Sequence, residues 1–128
     1  MSADLFKAAR HAATKAYANE SKLQVGAALR TTSGAVFAGC NVENVAYPQG
    51  WCAETTALGA FVMGGFGKGD LAEVAVFAPK MDRITPCGGC RQKLKEFGTA
   101  GTKVHLCDAT GVVETLRLGD LLPHAFDM

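Results

Sequence analysis

Apolar side chains recur at helical spacing through residues 3–17, where Leu5, Phe6, Ala9, Ala12, Ala13, Ala16 and Tyr17 favour one side. That spacing predicts a first helix, broken by the polar run ANESK. Two segments rich in small and β-branched residues follow, LQVGAALRT and AVFAGCNVE, on either side of a Thr-Ser-Gly turn. They read as a β-hairpin. NVAYPQG cannot be the interior of a helix or strand, because Pro48 and Gly50 punctuate it. Helical spacing returns from Cys52 to about Met63, with Ala53, Ala57, Ala60 and Phe61 on one side, and GGFGKG ends it. LAEVAVFAP reads as a buried strand, MDRIT as a polar loop, and CRQKLKEF as a short helix from Cys90 stopped by Gly98. TKVHLCD and GVVETLRL are two further strands around a turn at DATG, and GDLLPHAFDM is a short helical turn and tail.

The predicted order is α-β-β-α-β-α-β-β with a final helical turn. Strand–helix–strand alternation in the middle implies a parallel pair joined by a right-handed crossover. The expectation is a three-layer α/β/α arrangement, a mixed five-stranded sheet with helices on both faces. The 128 residues suit one domain over 1–128, and a hydrophobic share of 48% is enough for a real core.

Charge narrows the partners. Thirteen basic and twelve acidic residues are spread evenly, and no Lys/Arg block offers a track for a polynucleotide. The alanine-rich N-terminus lacks the continuous apolar core of a signal peptide, and no run reaches membrane-spanning length. A cytoplasmic protein that binds no membrane is expected. An odd cysteine count, five, argues against a disulfide framework and leaves metal binding, nucleophilic catalysis or burial.

The segment PCGGC places Cys87 and Cys90 at the spacing of a zinc knuckle or a redox pair. It comes after the third predicted strand, later than a thioredoxin-like redox pair would, and Gly88–Gly89 lets the backbone turn tightly around a metal. Two buried thiols with no shared role would be the alternative if the pair stood alone. Cys52 begins the other central helix, however, and adds a third thiol. Three protein ligands leave one tetrahedral position open, the arrangement of a catalytic rather than a structural zinc. Helix starts also favour thiolate, through free N–H groups and the helix dipole. Cys40 and Cys107 fall inside predicted strands and read as core filler. Glu54 lies in the first turn, where a carboxylate often does no more than complement the dipole. Beside an open metal it can accept a proton from water and donate one to a departing amine.

Together, CNVEN, CAE and PCGGCRQ resemble the cytidine deaminase family in its small, three-cysteine zinc form, and the resemblance runs from AYANESK through LLPHAF. It implies that Cys52, Cys87 and Cys90 bind one zinc per chain. It makes Glu54 the proton carrier in hydrolysis of cytidine or 2'-deoxycytidine to uridine or 2'-deoxyuridine, a step of pyrimidine salvage. Asn41 and Glu43 match the family's ribose-binding pair, an amide and a carboxylate able to hold a sugar hydroxyl. Leu23 would pack against sugar and base, and the backbone at Ala53 would hold the base edge. Tyr47 and Phe126 match aromatics that reach a neighbouring subunit's site, which implies a homotetramer with shared sites.

Three positions depart from the family's usual pattern. Thr55 stands where the small form commonly has Arg after the catalytic Glu, so the negative charge of three thiolates needs another offset. Arg91 is expected to supply it, within hydrogen-bond reach of a zinc-bound sulfur. Leu23 stands where an aromatic is usual, which leaves room for a base substituted at its exocyclic amine. Trp51 directly precedes a ligand, as a core plug or as a pocket wall. The competing readings are a deaminase of a modified or blasticidin S-like cytosine nucleoside, a polynucleotide-editing deaminase, and a non-catalytic zinc module.

Overall fold

The computed structural model describes residues 2–128. Helix α1 (Ser2–Ala13) precedes the antiparallel strands β1 (Gly26–Thr31) and β2 (Val36–Cys40). A 3-10 turn (Tyr47–Gln49) leads into α2 (Ala53–Met63), then β3 (Leu71–Phe77), α3 (Gly88–Phe97), β4 (Lys103–Asp108), β5 (Gly111–Arg117) and the short α4 (Leu118–Leu121). The sheet has five strands in the order β2-β1-β3-β4-β5, and only β3 and β4 run parallel. Helix α3 makes the crossover between them. The mixed five-stranded α/β sheet predicted from the sequence is therefore the observed one.

Alternation along the strands splits the core in two. Ala27, Leu29, Val74, Val76, Val104 and Leu106 face Ala57, Phe61 and Leu94 of α2 and α3. Ala28, Ala75, Phe77 and Cys107 face Leu5, Phe6, Ala9 and Ala13 of α1. Phe61 is fully buried and meets Phe37 and Phe97 edge-on, with centroids 6.1 and 5.4 Å away. Two glycines bring the helices down onto the sheet. A Cβ at Gly26 would lie 1.9 Å from the carbonyl oxygen of Ala9, and one at Gly39 would lie 2.4 Å from the backbone nitrogen of Ala57. Backbone, which cannot move aside, occupies the space on both faces.

Boundaries differ where tertiary contacts take over from periodicity. The first helix stops at Ala13 rather than near residue 17. The next N–H groups turn inward to carbonyls three residues back, and Tyr17 N–H then donates to Asn41 O at 3.0 Å. The hairpin is shorter than predicted because the Asn41 side chain replaces the ladder at its end. Asn41 accepts from Val25 N–H and donates to Leu23 O, each at 2.9 Å. Helix α3 begins at Gly88, two residues before Cys90, with Cys87 as its N-cap.

Candidate active site and metal centre

Helices α2 and α3 start side by side. Cys52 is the N-cap of α2 and Cys87 the N-cap of α3, and both have extended backbone with ψ of 162° and 165°. Neither thiol caps its own helix, so both side chains are free to face the gap between them. Cys90 approaches from the first turn of α3. The three sulfurs all lie within 4.8 Å of one another, and Cys52 Sγ and Cys87 Sγ are 3.7 Å apart. Tetrahedral zinc with Zn–S bonds of ~2.3 Å holds its sulfurs roughly 3.8 Å apart, so the donor set fits that ion. Among the described residues no other group of three or more His, Cys, Asp or Glu side chains is placed to hold a metal.

The surroundings set the thiols apart. Burial pushes the Cys90 thiol well above the ordinary range, with the nearby Glu54 and Cys52 adding to it. Burial also raises Cys52. At Cys87, burial is outweighed by hydrogen bonds from the Cys90 backbone and thiol and from Cys52, which bring its pKa below the usual value. Glu54 is 3% exposed, and burial raises its carboxyl pKa. Its own backbone N–H, the Cys90 thiol and the charge of Lys93 act in the opposite direction. A carboxyl held this way is closer to exchanging protons at neutral pH than a solvated one.

Cys52, Ala53, Glu54 and Cys87 line one cavity of about 550 Å³. Leu23, Asn41, Glu43, Tyr47 and Trp51 line it as well, so most of the residues singled out from the sequence meet in one place. Glu43 is held firmly. Its Oε1 accepts from the N–H groups of Glu20 and Ser21 at 2.9 and 2.8 Å, and its Oε2 accepts from the Ser21 hydroxyl. The Ser21 bonds keep its pKa below the ordinary carboxylate value. The contact from Asn41 Nδ2 is long, at 3.4 Å. Trp51 is wall, not plug: it is 46% exposed, and its indole N–H donates to Thr56 Oγ1 at 2.7 Å.

Other positions lie elsewhere. Phe126 is 69% exposed and does not line this cavity. Its carbonyl accepts from Gln92 Nε2 at 3.1 Å. The hydrogen bonds of Arg91 go to carbonyls rather than to a sulfur: Nε donates to Pro86 O at 2.8 Å and an Nη to Leu121 O at 3.0 Å. Arg91 thus ties down the segment just before Cys87. Thr55 Oγ1 accepts from Lys93 Nζ at 2.9 Å. Cys107 is fully buried, its pKa raised to about 11 by burial, whereas Cys40 is only half-buried. The core-filler expectation therefore holds for Cys107 and only in part for Cys40.

Sequence reasoning missed Ser21, Ile84, Thr85 and Lys93. Ser21 sits in ANESK, legible only as a helix breaker, and its role comes from a contact 22 residues away. Ile84 and Thr85 line the cavity from what read as a plain polar loop. Lys93 follows Cys90 by three, one turn along a helix face, which was the available signal.

Comparisons with known proteins agree with this geometry. Residues 2–106 match the family model described as the cytidine and deoxycytidylate deaminase zinc-binding region. A cytidine deaminase from Halalkalibacterium halodurans is 41% identical over 122 residues, covering 95% of this chain and 91% of that protein. The crystal structure of cytidine deaminase from Burkholderia pseudomallei superposes with a TM-score of 0.90 at 46% identity, covering 96% of this chain and 97% of the other. That of the Mycobacterium tuberculosis cytidine deaminase gives a TM-score of 0.86 at 38% identity, over 98% and 96% of the two chains. With the family model covering most of the chain, three cysteine sulfurs clustered, and a buried glutamate lining the cavity beside two of them, the chain belongs to the cytidine and deoxycytidylate deaminase zinc-binding family.

Proposed function

We propose that this chain hydrolyses the exocyclic amine of cytidine and 2'-deoxycytidine, giving uridine and 2'-deoxyuridine in cytoplasmic pyrimidine salvage. The observation that carries this reading is buried Glu54 lining one cavity with Cys52 and Cys87, whose sulfurs lie within 4.8 Å of each other and of the buried Cys90 sulfur. Cys52, Cys87 and Cys90 would hold one zinc. Zinc there supplies a Lewis acid that activates water for attack. Glu54 accepts the proton of the attacking water at its carboxylate and returns protons to the ring nitrogen and the leaving ammonia. Burial supports this by raising the carboxyl pKa, which favours proton uptake by Glu54.

The polar wall of the cavity fits a sugar. Glu43 Oε2 makes one close bond and one long contact, so it has capacity for a ribose hydroxyl. Asn41 is anchored by two backbone bonds and is pre-placed beside it. Leu23 and Trp51 supply apolar wall, and the backbone at Ala53 would hold the base edge. Balanced charge supports a free nucleoside over a polynucleotide, and among the described residues no helix is long and apolar enough to cross a membrane.

The active unit is read as a homotetramer with shared sites. Phe126, exposed and away from its own cavity, is free to stack on a pyrimidine in a neighbouring subunit. Tyr47, 74% exposed, sits where it could touch both its own cavity and a neighbour. An ultraviolet assay of cytidine and 2'-deoxycytidine, with and without a zinc chelator, tests the function. Conversion that stops on chelation and returns with zinc is expected. A zinc-loaded chain that converts neither nucleoside would refute the reading.

A further inference from the structure

Two cations, Arg91 and Lys93, follow Cys90 closely on α3, and neither forms an ion pair with a carboxylate among the described residues. The hydrogen bond of Lys93 goes to Thr55 Oγ1 at 2.9 Å. Thr55 follows Cys52 by three residues and adjoins Glu54, and Lys93 follows Cys90 by three. The bond thus joins equivalent positions, one turn beyond a ligand, on two neighbouring helices. Arg91, the other cation in this turn of α3, is already committed to two backbone carbonyls.

The need for a cation follows from the donor set. Three thiolates around a divalent ion leave a net negative charge, and Glu54 is buried beside them. We propose that Lys93, anchored by Thr55, is a positioning residue that offsets the charge of the three-thiolate centre and strengthens its hold on zinc. This assignment rests on the reading that the three cysteines bind that ion. Because Lys93 is exposed, its effect is moderate and sensitive to salt.

The test follows zinc release from the loaded enzyme into a chromophoric chelator, with folding checked by circular dichroism. At low salt, Lys93→Met should release zinc roughly three- to tenfold faster than the wild type, and Lys93→Arg should match it. Thr55→Val, which keeps the charge but frees it from its anchor, should fall between. In roughly 1 M salt, where screening acts within about 3 Å, the differences should close. A Lys93→Met variant that releases zinc at the wild-type rate would overturn the assignment. So would a difference that persists unchanged in high salt, since that would mark lost packing rather than lost charge. A wild-type chain that takes up no zinc would instead sink the metal-site reading itself, which keeps the two failures distinct.

Discussion

Glu54 shows how much a position changes when its surroundings are known. As a first-turn carboxylate it could have been a solvated partner of the helix dipole, but it is 3% exposed and lines the same cavity as Cys52 and Cys87. Glu54→Gln keeps the shape and removes the proposed proton carrier. Turnover should fall by at least ~10²–10⁴-fold while zinc stays near one per chain, as read by steady-state assay and metal analysis. Loss of the metal instead would make Glu54 structural. Ser21 is the residue the sequence hid. Its hydroxyl and N–H both bond Glu43, so Ser21→Ala should loosen the carboxylate proposed to hold the sugar. The expected result is a KM for cytidine raised a few-fold with kcat nearly unchanged, because the contact is made equally in ground and transition states.

At the level of elements, the ends of α2 and α3 were more legible than the start of α3: they fall at Met63 and Phe97, where glycines were read as stops, whereas α3 begins at Gly88, two residues before Cys90. Cys52 and Cys87 stand at N-caps, where loop punctuation by Pro48, Gly50 and Pro86 marks the boundary locally. The end of α1 is decided by Asn41, whose carbonyl draws Tyr17 out of the helix. The close seating of α1 on β1 is a sharper test of element packing. In Gly26→Ala the new methyl would sit on the Ala9 carbonyl and 2.5 Å from the Ala13 nitrogen. Helix and strand would have to part, at a cost of about 3 kcal/mol or more, seen as a lowered urea midpoint.

For the whole molecule, the sheet carries a polar chain on the α1 face, away from the cavity. His105 is buried and joins Glu73 Oε1 and Thr115 Oγ1, both at 2.8 Å, and Arg30 Nε lies 3.3 Å from Glu73 Oε2. Burial works against the Glu73 charge, but His105 and Arg30 more than offset it and hold the carboxyl below its ordinary value. A carboxylate with a depressed folded pKa stabilises the fold above its unfolded pKa and loses that contribution as pH falls through the folded one. Urea unfolding should therefore show stability falling as pH drops below about 4.5, and Glu73→Gln should flatten that limb. Sedimentation of the purified chain tests the proposed tetramer, and a monomer that turns over cytidine at full rate would refute shared sites. What the sequence determined by itself was local: the order of elements from apolar periodicity, and the three cysteines at two helix starts as a candidate ligand set. The pairing of Glu43 with Ser21, the Trp51 wall, the carbonyl-bound Arg91 and the reach of Lys93 to Thr55 belong to tertiary structure. Each joins residues far apart in the chain or chooses among several partners, and only the packing of α2, α3 and the loops around β1 and β2 makes that choice.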